Sequence, residues 1–299
     1  MFCLPFPEYE SDLLLELPKN SEKKDPFFVV AQPQNNIVFA QDIWFDAEKI
    51  SFQSISEAAL HLRSAGKYWF YYPTECVRRG KLIEDKLFKS LPTQCDFPIS
   101  EKWMSCYSQA GAYTMLNENT LLFTKKRQRT VPFGLCTFKE DRENPPNRAY
   151  LKLWEALTLF GELPRADETA LDLGASPGGW TYVLQQLGAT VTAVDKAPLD
   201  PKIAALPNVR RLEQSAFALS PDDFSQSIDW WCSDIACYPE RLYELVTKWI
   251  ASGKVKRMIA TIKLQGKTDF AMIQKFQALP RSQVLHLFYN KHEVTFFYH

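Results

Sequence analysis

With 299 residues, 46% of them hydrophobic and 14% aromatic, the chain has material for a core and the length of two domains, which excludes a disordered protein. Lysine plus arginine balances aspartate plus glutamate at 35 each, so a nucleic-acid partner must be met by a local basic patch and not by net charge. The seven cysteines form no CxxC pair and no cluster of zinc spacing, which predicts free thiols in a reducing compartment and no metal centre.

In chain order, the start MFCLPFPEYE carries acids and prolines where a signal peptide has a basic segment. No stretch nears the ~20 apolar residues of a membrane helix, so a cytoplasmic, membrane-free protein is expected. Residues 27–31 and 36–45 read as strands or strand–helix borders. SISEAALHLRSAG, 54–66, has helical spacing, with Ser54 and Glu57 placed for a capping box. KYWFYYP, 67–73, reads as a strand whose unbroken aromatic run belongs in a core. RRGKLIEDKLFKSLP, 78–92, reads as a helix. Strands are expected at 120–124 and 130–137, flanking the run KKRQR. DRENPPN, 141–147, is polar and double-proline and marks the boundary between domains 1–140 and 141–299.

Past that boundary the rhythm changes. A helix at 149–160, a strand at 169–173, a helix at 180–187 and a strand at 190–194 follow in turn. Later strands are expected at 228–232, 257–262, 284–288 and 294–298, with helices at 239–251 and 268–279. This alternation predicts an α/β domain with a mostly parallel sheet covered on both faces. The last two strands are joined too closely for a parallel crossover, so they are expected to form an antiparallel pair at the sheet edge. The first domain reads as a smaller α+β unit.

The stretch LDLGASPGGWTYVL places a glycine-rich turn between the first strand and helix of the second domain. Gly174, Gly178 and Gly179 permit close approach of a ligand to the backbone at the carboxyl edge of such a sheet. Asp195 ends the next strand, where a carboxylate can accept hydrogen bonds from both hydroxyls of a ribose. A dinucleotide site wants G-x-G-x-x-G and backbone N–H groups on a pyrophosphate. Here the order is G-A-S-P-G-G, and Pro177 has no N–H to offer. An adenosine cofactor without phosphates, S-adenosylmethionine, fits better than a nicotinamide dinucleotide. The bland alternative is a plain strand–helix link.

Four charged residues sit at ends of apolar runs: Lys152, Asp234, Lys263 and Glu293. Singly, each is most simply a solvated terminus, an ion pair or, for Asp234, a helix cap. As a set they are familiar. GASPGGW (Gly174, Ser176, Pro177, Gly178, Gly179, Trp180), RAYLKLWE around Lys152 and the ordered Lys-Asp-Lys-Glu tetrad resemble the FtsJ-like RNA ribose 2′-O-methyltransferases. The likeness runs from about residue 145 to the end. It implies a Rossmann-like S-adenosylmethionine-dependent methyltransferase domain with a seven-stranded sheet, acting as a monomer on RNA. It also implies cofactor contacts from Gly174, Ser176, Pro177, Gly178, Gly179, Trp180, Asp195, Ser215 and Asp234. Where relatives often carry an acid near the adenine, LEQSAF offers only Ser215. The segment 131–157 resembles the domain junction of those members that methylate a cytidine of large-subunit ribosomal RNA and carry a THUMP-related N-terminal domain. That likeness implies a THUMP-like RNA-binding domain here and large-subunit ribosomal RNA as substrate.

Within such a tetrad Lys263 is expected to act as base, neutral through a depressed pKa, with Lys152 as the neighbouring cation. Asp234 would orient Lys263, and Glu293 would position the lysines or the substrate hydroxyl. For RNA contact the candidates are Lys125, Lys126, Arg127 and Arg129 of the basic run, with Arg78 and Arg79 as a second cluster. The competing readings are the same chemistry on transfer RNA or another RNA, and a non-catalytic assembly factor on this fold.

Overall fold

The computed structural model describes residues 1–31, 36–74, 76–87 and 91–299. The chain divides into two compact units, Met1–Lys139 and Glu140–His299. In the first the elements run β1 (Phe2–Pro5), α1 (Glu10–Glu16), β2 (Glu22–Lys24), β3 (Phe27–Val29), β4 (Ala40–Phe45), β5 (Glu48–Ser51), α2 (Ile55–Ala65), β6 (Trp69–Tyr71), α3 (Val77–Glu84), α4 (Glu101–Ser108), β7 (Gly111–Asn117), β8 (Thr120–Thr124) and β9 (Lys126–Arg127). They form a sheet in the order β2-β3-β1-β4-β9 and another in the order β5-β8-β7-β6. The second is packed by Phe52, Leu62, Trp69, Tyr71, Tyr113 and Leu121, so the aromatic run is core. The Ser54 hydroxyl accepts the Glu57 N–H at 3.2 Å, while the Glu57 carboxylate accepts from Gln53 at 2.8 Å instead of closing a capping box.

Two expectations for this unit change. The segment 130–137 is not a strand: Pro132 has no N–H for a ladder and Gly134 turns the chain at φ +71°, making a single 3-10 turn over Pro132–Gly134. The helix expected over 78–92 is confined to α3, and residues 88–90 of that span lie outside the described residues.

The second unit continues with α5 (Tyr150–Phe160), β10 (Thr169–Leu173), α6 (Gly179–Gln186), β11 (Thr190–Val194), α7 (Pro201–Ala204), β12 (Val209–Leu212), β13 (Ile228–Ser233), α8 (Pro239–Ala251), β14 (Val255–Lys263), α9 (Phe270–Gln277), β15 (Ser282–Leu285) and β16 (Glu293–Tyr298). The seven strands are ordered β12-β11-β10-β13-β14-β16-β15. All six residues of β13 and of β16 are buried, as befits strands with both faces covered. α8 turns Leu242, Leu245, Val246 and Trp249 inward, a stripe at 3.6-residue spacing.

The first five strands pair in parallel, and β16 runs antiparallel to both β14 and β15. The antiparallel pair expected at the sheet edge is β15 and β16, with β15 outermost and β16 the inner strand of the two. The chain crosses from β14 through α9 to β15, leaving one strand width open. β16 turns back into that gap, where its N–H and C=O groups are paired on both sides. Among the described residues no helix is long and apolar enough to cross a membrane.

Candidate active site

Four segments bring the tetrad to the carboxyl edge of the sheet. α5 is buried along most of its length, and Lys152 lies on it at 6% exposure. Asp234 follows the last residue of β13. Lys263 ends β14 and Glu293 opens β16, and the two are partners across that antiparallel pair. The side chains close a ring of alternating charge. Lys152 Nζ lies 3.1 Å from Asp234 Oδ1 and 2.5 Å from Glu293 Oε1. Lys263 Nζ lies 2.5 Å from Asp234 Oδ1 and 2.7 Å from Glu293 Oε2. Ammonium and carboxylate groups this buried demand pairing, and each here has two partners of opposite sign.

The electrostatics depart from expectation at Lys263. Burial alone would lower its pKa, but the Asp234 and Glu293 carboxylates outweigh burial and lift it above the ordinary lysine value. The depressed pKa expected from Lys152 as a neighbouring cation is absent, because two anions stand between the lysines. Burial would likewise raise Asp234, yet Lys152 and Lys263 hold its carboxyl below the usual value.

Beside the ring opens a cavity of about 400 Å³, lined by Gly174, Ser176, Asp195, Ser215, Phe217, Asp234, Ile235 and Arg241 among others. Gly174, at φ +77°, is required there: a Cβ would lie 2.8 Å from Ile235 Cγ1 and 3.0 Å from its Cα. Asp195 follows β11; its Oδ2 accepts the Ser176 N–H at 3.1 Å and its Oδ1 the Ala197 N–H at 2.9 Å. Each oxygen keeps a further lone pair for a hydroxyl donor in the cavity. The Ser215 hydroxyl accepts the Phe217 N–H at 3.3 Å, and the Arg241 guanidinium covers the Phe217 ring at 3.7 Å from its centroid. Asp234 alone of the tetrad also lines the cavity. The Phe217–Arg241 stack has one sequence signal, an aromatic two residues past Ser215.

The rest of the glycine turn faces the protein and does not line this cavity. Pro177 offers its carbonyl to Asp200 N–H at 2.9 Å. A Cβ at Gly178, whose φ is +117°, would run into Ile203 of α7, and one at Gly179 into the Asn147 side chain. Trp180 is buried and its indole N–H donates to the Ala149 carbonyl at 3.0 Å, fastening α6 to the start of α5. These four shape the turn; Gly174 and Ser176 reach the ligand space.

The basic candidates split. Arg127 is interior: its guanidinium donates to the carbonyls of Ala110, Tyr107, Arg129, Thr130 and Val131 and lies 3.7 Å from the fully buried Asp42. Arg129 is 3% exposed, donating its N–H to Asp42 and its guanidinium to Gly134. A buried carboxylate draws both arginines inward, so neither is placed for RNA. Arg79 is half-buried and donates to Asn119 Oδ1 at 3.0 Å. Lys125, Lys126 and Arg78 are exposed, with Lys126 paired to Asp46 at 2.5 Å. Among the described residues no group of three or more His, Cys, Asp or Glu could hold a metal ion.

Residues 145–293 match the model of the FtsJ-like methyltransferase family. Two similar curated relatives are both called ribosomal RNA large subunit methyltransferase M. The one from Azoarcus sp. (strain BH72) is 34% identical over 57% of this chain and 50% of its own length. The one from Halorhodospira halophila (strain DSM 244 / SL1) is 33% identical over 55% of this chain and 50% of its own. The chain thus spans about half the length of the curated relatives it matches.

Proposed function

We propose that this chain, which belongs to the FtsJ-like methyltransferase family through residues 145–293, is an S-adenosylmethionine-dependent RNA ribose 2′-O-methyltransferase. Its substrate is large-subunit ribosomal RNA, with a cytidine as target. The observation that carries the chemistry is the closed Lys152–Asp234–Lys263–Glu293 ring beside the Asp195 cavity. The substrate class rests on the names of the relatives.

The cavity suits an adenosine ligand: Asp195 has acceptor capacity for a ribose diol, Gly174 and Ser176 bring backbone close, and Phe217 with Ser215 supplies a ring and a hydroxyl. When bound, S-adenosylmethionine supplies an electrophilic methyl group on a sulfonium. The protein's work is alignment and proton removal. Lys152 and Glu293 fix the reacting ribose. Lys263 receives the proton of its 2′-hydroxyl. To do so Lys263 must first lose the proton that Asp234 and Glu293 stabilise. With that proton gone the ring carries two formal negative charges against one positive, which favours a cation in the adjoining cavity. Unit 1 is read as a THUMP-like RNA-binding unit, supported by the exposed charges of Arg78, Lys125 and Lys126. The chain works as a monomer in the cytoplasm; its seven free thiols fit a reducing compartment.

The test is transfer of labelled methyl to RNA from cells lacking this chain, with Lys263→Ala alongside. Label recovered as 2′-O-methylcytidine from large-subunit RNA, and lost in the variant, is the expected result. Label confined to bases, or unaffected by the variant, sinks the reading.

A further inference from the structure

Unit 2 exposes two large hydrophobic side chains, Tyr238 at 64% and Phe288 at 40%. Scattered exposed apolar residues need no explanation in general. Tyr238 is the residue before α8 and caps it through its backbone carbonyl. Phe288 is different, because the turn that carries it is fastened by buried groups. Glu155, fully buried on α5 one helical turn beyond Lys152, accepts the Phe288 N–H at 2.9 Å and the Tyr289 N–H at 3.0 Å. The Leu287 carbonyl accepts the Asn290 N–H at 3.1 Å, and the buried Asn290 side chain accepts the Thr295 hydroxyl at 3.2 Å. The Phe288 ring meets the Tyr289 ring edge-on, 5.0 Å between centroids.

This turn joins β15 to β16 at the carboxyl edge of the sheet and leads directly into Glu293 of the charged ring. Burying a carboxyl group is costly unless it is hydrogen-bonded, and the two amides of this turn supply bonds to Glu155, so turn and carboxyl group hold each other in place. The turn so held carries an exposed phenyl group five residues from the tetrad. A fixed aromatic face beside a ribose-reactive site matches one ligand chemistry in particular, the π-face of a nucleobase in an unpaired strand.

On the footing of the function proposed above, we infer that Phe288 is the stacking platform for a nucleobase of the RNA strand next to the reacting ribose, with Glu155 as the positioning residue that sets its turn. Lys152 and Glu155 lie on one helix, so the same element sets the ribose and the base relative to one another. Stacking of this kind is sequence-tolerant, since every base offers a π-face.

Steady-state methyl transfer would be measured for wild type, Phe288→Ala, Phe288→Trp and Glu155→Gln on RNA from cells lacking the chain, with S-adenosylmethionine affinity by calorimetry as control. Phe288→Ala should raise KM for RNA about 5- to 150-fold, the range of one lost base–aromatic stack. Cofactor affinity should stay within about twofold, and Phe288→Trp should restore KM to within about threefold of wild type. Glu155→Gln should raise KM for RNA with cofactor affinity kept. Phe288→Ala with wild-type KM and kcat overturns the inference, as does a tryptophan variant no better than alanine. If the wild-type chain binds the cofactor yet methylates no RNA, the proposed function fails instead. Anisotropy of a fluorescent single-stranded RNA oligonucleotide then decides the stacking: weaker binding by Phe288→Ala supports it, and equal binding overturns it.

Discussion

Lys263 and Glu293 are direct partners across the antiparallel pair β14–β16, and their side chains meet at 2.7 Å. The strand register therefore sets the charge state of the proposed base: Glu293 is fixed beside Lys263 by the backbone ladder, and Asp234 closes on it from the other side. Both carboxylates hold the lysine above its ordinary pKa. In the proposed mechanism kcat/KM should climb with pH through the alkaline range, following the small neutral fraction of Lys263. Glu293→Gln removes one of the anions and should move the limb of that profile toward lower pH, whatever it does to the maximum. A pH–rate profile of the two proteins checks this; an unmoved limb counts against Lys263 as the titrating group.

Lys152 and Asp234 should be coupled in stability. Removing either alone leaves its partners with an unbalanced buried charge. Denaturant melts of Lys152→Ala, Asp234→Asn and the double variant should give a coupling energy of about 1–3 kcal/mol at neutral pH. Additive single effects would contradict the ring.

Asp172 in β10 is 1% exposed; one carboxyl oxygen accepts the Thr181 hydroxyl at 2.6 Å and the other has no hydrogen-bond partner among the described residues. Burial pushes its pKa up to about 7, from 3.8. Between those values the folded chain keeps a proton that the unfolded chain has lost. Stability therefore falls as pH rises through that window and is flat above it. Asp172→Asn cannot lose a proton. Its melting temperature relative to wild type should rise from pH 5 to pH 8, by an amount on the order of 2 kcal/mol in stability. A pH-independent difference would show that Asp172 does not titrate there.

Arg127→Ala should destabilise the first unit by about 3–5 kcal/mol, because it strands the buried Asp42 and five backbone carbonyls. Lys125→Ala should leave melting unchanged and, if unit 1 contacts RNA, weaken binding modestly and reduce its salt slope by about one. Thermal melts and salt-dependent binding curves separate the two roles.

Gly174→Ala forces a side chain into a left-handed position 2.8 Å from Ile235, which is the neighbour of Asp234. A loss of at least about tenfold in S-adenosylmethionine affinity is expected, as even 1.4 kcal/mol of strain or displacement gives that factor. Calorimetric titration with wild-type affinity would show the turn to be irrelevant to the cavity.

The strands of unit 2 were readable because strands covered on both faces are continuous apolar runs; β10 and β11 fall on the expected residues. The first unit was less readable. β5 is EKIS, a charged edge strand with little apolar signal, and β9 is two residues long. The order of Lys152, Asp234, Lys263 and Glu293 was visible in the sequence, and the structure brings the four together. Their charge balance was not, since it depends on which carboxylates stand between the lysines. The fate of KKRQR was equally hidden. Asp42 lies 85 or more residues away from Arg127 and Arg129 and only the folded β4–β9 pairing brings them together.

The insertion of β16 between β14 and β15 bears on when the molecule becomes competent. The bonds of the charged ring join residues 29 to 141 positions apart, and Glu293 enters only as the last strand slots into place. Such non-local closures are late, entropy-limited events in folding. During refolding, helical signal should therefore recover well before methyl transfer does, and the lag between them would time the seating of a single strand.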